Sequence, residues 1–304
     1  MIKNFAELIE KARSKKTKRL VVAAAEDKVV INAVKMAADI DLVEPVLVGD
    51  EKKIAEISKD LGINSNWKII NETNKKKASA KAVAEISEGR GDILMKGLVG
   101  TPILLKAVLN KDAGLRKSKV LSHVGVIGAK TYPKLIIMTD GGMVPAPDLM
   151  EKSEILKNAI RVARGFEINP VRAAIVSSLE TVSDKVTSTV DAAALAKMGD
   201  RNQFGKDVIV DGPLALDNAI SEEAAKHKGI VSDVAGKPDI LIMPSVEAGN
   251  IFYKTLVYLG NCEAETAGVV LGAKVPVIVP SRTDTAESKM NAIATSVLIA
   301  EITD

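Results

Sequence analysis

The sequence predicts an α/β protein of two domains, each built on a parallel sheet. Three observations lead there. Short aliphatic and β-branched runs alternate with longer amphipathic stretches along the chain. Those runs are continuously apolar, as strands covered on both faces are, and do not alternate apolar with polar. The chain has 304 residues, against roughly 100–200 for an average domain.

Taken in order, residues 19–24 read as a buried strand. Residues 28–40 read as a helix with Val29, Ala33, Met36 and Ala37 on one side. The next strand is 43–48, closed by Gly49-Asp50, and helix 51–61 ends at Gly62. Residues 68–70 form a weaker strand, 75–88 an alanine-rich helix and 92–96 a strand entering a glycine-bearing turn. Charge breaks the pattern at 116–121, where the crossover to a second domain is expected. Strand 135–139 and the long helix 148–164 follow. Then come strand 172–177, helix 190–197 and strand 208–211 before the Gly212-Pro213 turn. Helix 221–228 has Ser221 as its expected N-cap. Strand 240–244, helix 251–259, strands 267–271 and 275–279 and helix 286–299 complete the chain.

Composition excludes several classes. Lys+Arg 42 against Asp+Glu 39 leaves a net charge of +3, too little for a nucleic-acid or membrane field. Aromatic residues are 3%, which argues against base-stacking platforms. No apolar run approaches the roughly 20 residues that span a bilayer. Nothing reads as a cleavable signal peptide, so the cytoplasm is the expected compartment. The one cysteine, Cys262, makes no intrachain disulfide and reads as a small buried hydrophobe. Two histidines and one cysteine cannot make a zinc cluster of the usual ligands, whereas carboxylate-bound magnesium stays open.

Four loops after predicted strands can carry chemistry. In Lys96-Gly97-Leu98-Val99-Gly100-Thr101 the backbone amides of a strand-to-helix junction can face an anion. The spacing is not that of a P-loop, and a plain tight turn is the alternative. In 211–218, Asp211 precedes Gly212 and Pro213, and Asp217 follows; a stable capped turn reads equally well. In 244–254, Glu247, Gly249 and Asn250 stand where a helix should begin, so Asn250 can cap and free amides can hold an oxyanion. Lys254 lies one turn on. In 280–287, Ser281, Arg282, Thr283, Asp284 and Glu287 crowd hydroxyls, carboxylates and one of only nine arginines into one loop. A guanidinium fork suits phosphate or carboxylate, and capping by Thr283 or Thr285 is compatible with that role. His123 and His227 read as structural, and Asp191 as either a cleft residue or a cap.

The segments 210–219, 234–241, 247–254 and Pro280-Ser281-Arg282, in this order and spacing, resemble the phosphate acetyltransferase and phosphate butyryltransferase family. A weaker resemblance runs from Glu26-Asp27 to 96–109. Segments 96–101, 121–124, 146–149 and 211–230 look more like the butyryl branch.

The resemblance implies reversible acyl transfer between coenzyme A and inorganic phosphate, with acyl-CoA as a substrate and no bound cofactor. It implies direct transfer in a ternary complex, without an acyl-enzyme. It implies a scaffold like that of isocitrate and isopropylmalate dehydrogenases. Domain one is then 1–121 plus 267–304 and domain two 122–266, with the site in the cleft between them. A homodimer through the second domain is expected, with no nucleic acid or membrane as partner. Ser281 and Arg282 match the family's Ser-Arg pair, whose arginine binds phosphate or the acyl carbonyl. The acetyl branch places an aspartate base six positions after that arginine. Here Ser288 holds the position, and Asp284 and Glu287 are the nearby carboxylates. The same branch has an arginine where this chain has Lys106. Lys96, Gly97, Gly100, Thr101, Asp211, Gly212, Pro213, Glu247, Gly249, Asn250, Lys254 and Thr283 complete the expected substrate-binding set. An acetyl substrate is the nearest rival. A metal- and nicotinamide-dependent dehydrogenase and a non-catalytic dimer are further ones.

Overall fold

The computed structural model describes residues 2–64, 66–259 and 264–302, so Cys262 lies outside the described residues. The chain forms two compact units. The outer unit runs from Ala6 to Lys119 and resumes at Ala267; the inserted unit is Val120–Thr266, joined by the first residues up to Phe5.

The first stretch carries α1 (Phe5–Arg13), β1 (Lys18–Ala23), α2 (Lys28–Ala38), β2 (Val43–Gly49) and α3 (Glu51–Asp60). It continues through β3 (Lys68–Asn71), α4 (Lys75–Ser87), β4 (Ile93–Lys96) and α5 (Thr101–Val108). The inserted stretch carries β5 (Ser122–Ala129), β6 (Ile136–Thr139), α6 (Leu149–Gly165), β7 (Val171–Val176) and α7 (Thr187–Asp200). β8 (Val208–Leu214), α8 (Leu216–Ile220), α9 (Glu222–His227), β9 (Ile240–Ile242) and α10 (Val246–Tyr258) follow. β10 (Ala264–Leu271), β11 (Val277–Ile278) and α11 (Ala286–Ala300) lead back to the outer unit and end the chain.

In the outer unit the strand order is β3-β2-β1-β4-β11-β10. β3, β2, β1, β4 and β11 pair in parallel. Leu20–Ala23 of β1 and Ile93–Met95 of β4 are buried, which is why both runs are apolar without alternation. From β1 the chain steps outward through α2 and α3 to β3. It then returns through α4 to the other side of β1. Right-handed crossovers place α2 and α3 on one face and α4 on the other. The reversal between β1 and β4 opens a crevice beyond their C-terminal ends, the usual ligand position in such sheets. α11 packs on α2 and is buried on nearly every side, which accounts for its missing polar stripe. Arg19 clamps the entry of β1 to that of β4 by paired bonds to Asp92, at 3.0 Å from Nε and 2.7 Å from Nη2.

In the inserted unit the order is β5-β6-β9-β7-β8, with β6, β9, β7 and β8 parallel. The expected parallel sheets are mixed at one strand each: β5 runs antiparallel to β6, and β10 antiparallel to β11. Their connections are a few residues long, and a parallel pair needs a crossover of a dozen or more. Other boundaries shift too. β8 continues through Gly212 and Pro213 to Leu214, so these residues are strand and not turn. α10 starts at Val246 and not at Ile251. Ser221 caps α9 as expected, accepting from the Ala224 amide at 3.2 Å.

Candidate functional site

The crevice at the β1/β4 reversal holds a cavity of about 140 Å³ within the outer unit. Four chain segments far apart in sequence build it. The turn after β1 supplies Asp27, which caps α2 by accepting from the Val30 amide at 2.9 Å. β4 and its exit supply Lys96, Gly97 and Gly100. The loop after β11 supplies Ser281 and Arg282, and α11 supplies Lys289. With Lys75 from the start of α4, four cationic side chains line the cavity against one carboxylate.

Gly97 is fixed by close approach. A Cβ there would lie 2.1 Å from the carbonyl oxygen of Ala24. The loop is drawn onto the end of β1 by Gly97 and Leu98 amides donating to Ala23 and Ala24 oxygens at 2.9 and 2.6 Å. The Val99 amide donates to the Gly97 oxygen. These three amides are spent on the fold, and the cavity is lined at this loop by the Lys96 side chain together with Gly97 and Gly100. Thr101 opens α5 without lining the cavity, and Lys106 stands exposed in a separate groove beside Ile103 and Leu109.

The loop after β11 is held by its own polar groups. The Ser281 amide donates to Asp284 Oδ2 at 2.7 Å, and the Ser281 and Thr283 hydroxyls are 3.1 Å apart. Thr285 caps α11, accepting from the Ser288 amide at 3.2 Å. Glu287 is exposed in the first turn of that helix.

Lys96 and Lys289 are 7% and 4% exposed, which is unusual for lysine. Burial, then the positive charges of Lys289 and Arg282, push the Lys96 ammonium below its ordinary pKa; Asp27 and Asp284 act the other way. Burial also lowers Lys289, again against Asp284 and Asp27. The Lys289 ammonium donates to the main-chain oxygen of Asp284, bracing the Arg282 loop. From sequence, Lys289 does not stand out, Asp27 marks only the start of the weaker resemblance, and Lys75 reads as part of a solvated charge run, which its exposure fits. For Lys289 the available signal was a lone cation one turn into an otherwise apolar helix, directly after a loop rich in ligand-type side chains.

The remaining expected residues belong to the inserted unit. Asp211 accepts from the Gly212 amide at 2.8 Å within β8, next to Pro213. Ser245, and not Asn250, caps α10, accepting from the Ala248 amide at 3.3 Å. Gly249 and Asn250 lie inside the helix and seat it on the loop after β6. A Cβ on Gly249 would come within 2.3 Å of the Asp140 carbonyl oxygen, and Asn250 Nδ2 donates to the Gly141 oxygen at 3.1 Å. The Asp140 carboxylate accepts from the Gly142, Met143 and Val144 amides at 2.7, 3.0 and 3.1 Å. Its burial nevertheless raises its pKa, with those bonds and nearby His123 pulling it down. His123 meets Tyr253 edge to face at 6.4 Å. Glu247 and Lys254 are exposed on α10. Asp191 pairs with Lys152 at 2.6 Å.

Among the described residues no helix is long and apolar enough to cross a membrane. The family model described as "Phosphate acetyl/butaryl transferase" matches residues 4–80 and 65–297. The chain is 44% identical to the phosphate butyryltransferase of Clostridium acetobutylicum over 99% of both chains. It is 43% identical to the phosphate acetyltransferase of Thermotoga maritima, over 97% of this chain and 99% of that one. A solved branched-chain phosphotransacylase from Enterococcus faecalis superposes with a TM-score of 0.81 at 28% identity, over 94% of this chain and 99% of that one. The chain therefore belongs to the phosphate acetyl/butyryl transferase family and is a phosphate acyltransferase.

Proposed function

We propose that the chain moves a butyryl or similarly short acyl group between coenzyme A and inorganic phosphate. One observation carries the phosphate side of this reading: Lys96, Arg282 and Lys289 converge on one small cavity beside the Ser281 hydroxyl. The cavity is smaller than the roughly 300–1,000 Å³ typical of sites for drug-sized ligands. It suits a small anion and not a whole coenzyme A.

The chemistry follows from what these groups can do. A phosphate oxygen of HPO₄²⁻ attacks the thioester carbonyl. The carbonyl oxygen gathers negative charge, the C–S bond breaks, and the proton of the phosphate goes to the departing thiolate. Acyl phosphate and CoA-SH result. Arg282 is assigned to the phosphate or the developing oxyanion, and Ser281 donates its hydroxyl to the same charge. Asp284 and Glu287 are the candidate proton acceptors for the thiol in the reverse direction. Asp284 already accepts from the Ser281 amide through one oxygen, which leaves its other oxygen for that task. Proximity in a ternary complex supplies much of the rate, so no acyl-enzyme is invoked.

The butyryl preference rests on the loop segments 96–101, 121–124, 146–149 and 211–230. Identities of 44% and 43% to a butyryl and an acetyl enzyme are too close to separate the two. A pocket discriminates one methylene by only about 1–3 kcal/mol. Parallel strands flanked by crossover helices support the likeness to the isocitrate and isopropylmalate dehydrogenase scaffold. A homodimer through the inserted unit is supported by α10, where Ile251, Tyr258 and Leu259 are 66%, 58% and 80% exposed. Light scattering in solution measures it, and a monomeric mass would end that part of the proposal.

The deciding experiment is thiol release from acetyl-, propionyl-, butyryl- and branched acyl-CoAs with and without phosphate. Phosphate-dependent release, fastest with butyryl-CoA, is expected. Arg282→Ala should lower it by about 10²–10³-fold while the chain stays folded. Unchanged turnover in that variant would overturn the role of Arg282.

A further inference from the structure

We propose that the buried ammonium groups of Lys96 and Lys289 form a two-point clamp for the phosphoryl oxygens, making Lys289 a substrate-binding residue of the reaction. The proposal rests on the phosphate acyltransferase reading and adds a residue to it.

Burial of two cations in one cavity is unfavourable unless a counter-charge is supplied. The carboxylates acting on both lysines are those of Asp27 and Asp284. Each is partly committed elsewhere: Asp27 to the Val30 amide and Asp284 to the Ser281 amide. Arg282 adds a third positive charge at the cavity wall. The arrangement is thus short of negative charge, and a dianion entering the cavity supplies it.

Lys289 has a second task, since its ammonium donates to the Asp284 carbonyl. An ammonium carries three donors. One braces the Arg282 loop, and the others remain for an anion. Lysine gives a compact point charge without the planar fork of arginine, so it can serve a carbonyl and a phosphoryl oxygen at once. Position along α11 explains how it reaches the cavity. Lys289 lies one turn after the cap Thr285, on the side of the helix buried within the outer unit.

The test uses the full chain carrying Lys289→Met or Lys289→Arg, with inorganic phosphate as the probe. Calorimetric titration with phosphate alone measures binding, and steady-state kinetics separate the KM for phosphate from that for acyl-CoA. Lys289→Met is expected to weaken phosphate binding, and to raise its KM, by about 10- to 100-fold. The KM for acyl-CoA should stay within about twofold, and Lys289→Arg should recover part of the loss. Wild-type phosphate affinity in Lys289→Met overturns the proposal. So does a fall in kcat with the phosphate KM unchanged, which would leave only the bracing role. If Lys289→Met does not fold, Lys289→Arg and Lys96→Met decide by the same titration, and wild-type affinity in both overturns the clamp. Absence of phosphate-dependent thiol release in the unmodified chain would instead defeat the enzymatic reading, while the titration still decides the clamp.

Discussion

Gly97 shows how one missing methyl group sets the geometry of the cavity. Its neighbour Lys96 points inward because the chain turns hard against the Ala24 carbonyl, where a Cβ would sit at 2.1 Å. Gly97→Ala must push β1 and β4 apart. We expect it to destabilise the chain by about 1–3 kcal/mol in urea denaturation, and to cut thiol release by displacing Lys96. Glu85, which joins β3 to α4, gives a second prediction. Its bond from Arg90, more than that from Lys68, holds the carboxyl at about 2 against an ordinary 4.5. The folded value lies below the unfolded one. The stabilisation is therefore complete above about pH 4.5 and is lost as pH falls towards 2. Glu85→Gln should melt earlier than the parent chain at pH 7, and the gap should close between pH 4.5 and 2. At this scale the sequence was partly legible. Ser281 and Arg282 stood out because arginine is scarce and the loop is polar. Lys289 did not, because a lysine inside an apolar helix is normally read as a solvent-reaching tail, and its burial depends on packing that no local pattern displays.

At the scale of elements, caps were more readable than starting points. Ser221 and Thr285 lie where side-chain oxygens meet the first free amides of a helix, and both do cap. Thr285→Ala should destabilise the chain by about 1 kcal/mol, read as a lower denaturation midpoint. Phosphate affinity should fall with it, because α11 carries Lys289 and anchors the Arg282 loop. The start of α10 was misread for a physical reason. Glycine ordinarily marks a boundary, yet Gly249 is interior because the helix presses on Asp140 and leaves no room for a Cβ. β5 was missed because Gly125 and Gly128 interrupt its apolar run. At Gly128 a Cβ would crowd Leu135 and Phe5 at 3.1 and 3.3 Å, whereas at Gly125 it would make ordinary contact with Tyr253 at 3.5 Å.

At the scale of the molecule, periodicity predicted the α/β class and the alternating elements, because buried parallel strands write themselves as apolar runs. Strand order was not legible, since pairing β4 with both β1 and β11 is a long-range choice. The cavity depends on that order, which explains why its lining could be guessed only in pieces. Phosphate binding should therefore stabilise the outer unit as a whole. At 100 times its Kd, phosphate is expected to add about 2.7 kcal/mol, visible in scanning calorimetry as a transition moved upward by roughly 5–10 °C. No shift with phosphate would count against the cavity as its site.

The position of β11 between β4 and β10 has a consequence for how the protein is made. β4 ends at Lys96, but its neighbour begins at Val277. At about 5–20 residues per second, a ribosome needs roughly 10–40 s to synthesise what lies between. Throughout that interval the edge of β4 has no neighbour on that side, and Lys96 has neither Arg282 nor Lys289 beside it. The inserted unit can fold while the nascent chain waits. The cavity closes only when the last strand slides into place, so a prematurely terminated chain would release an open, pairing-competent sheet edge and an unfinished cavity.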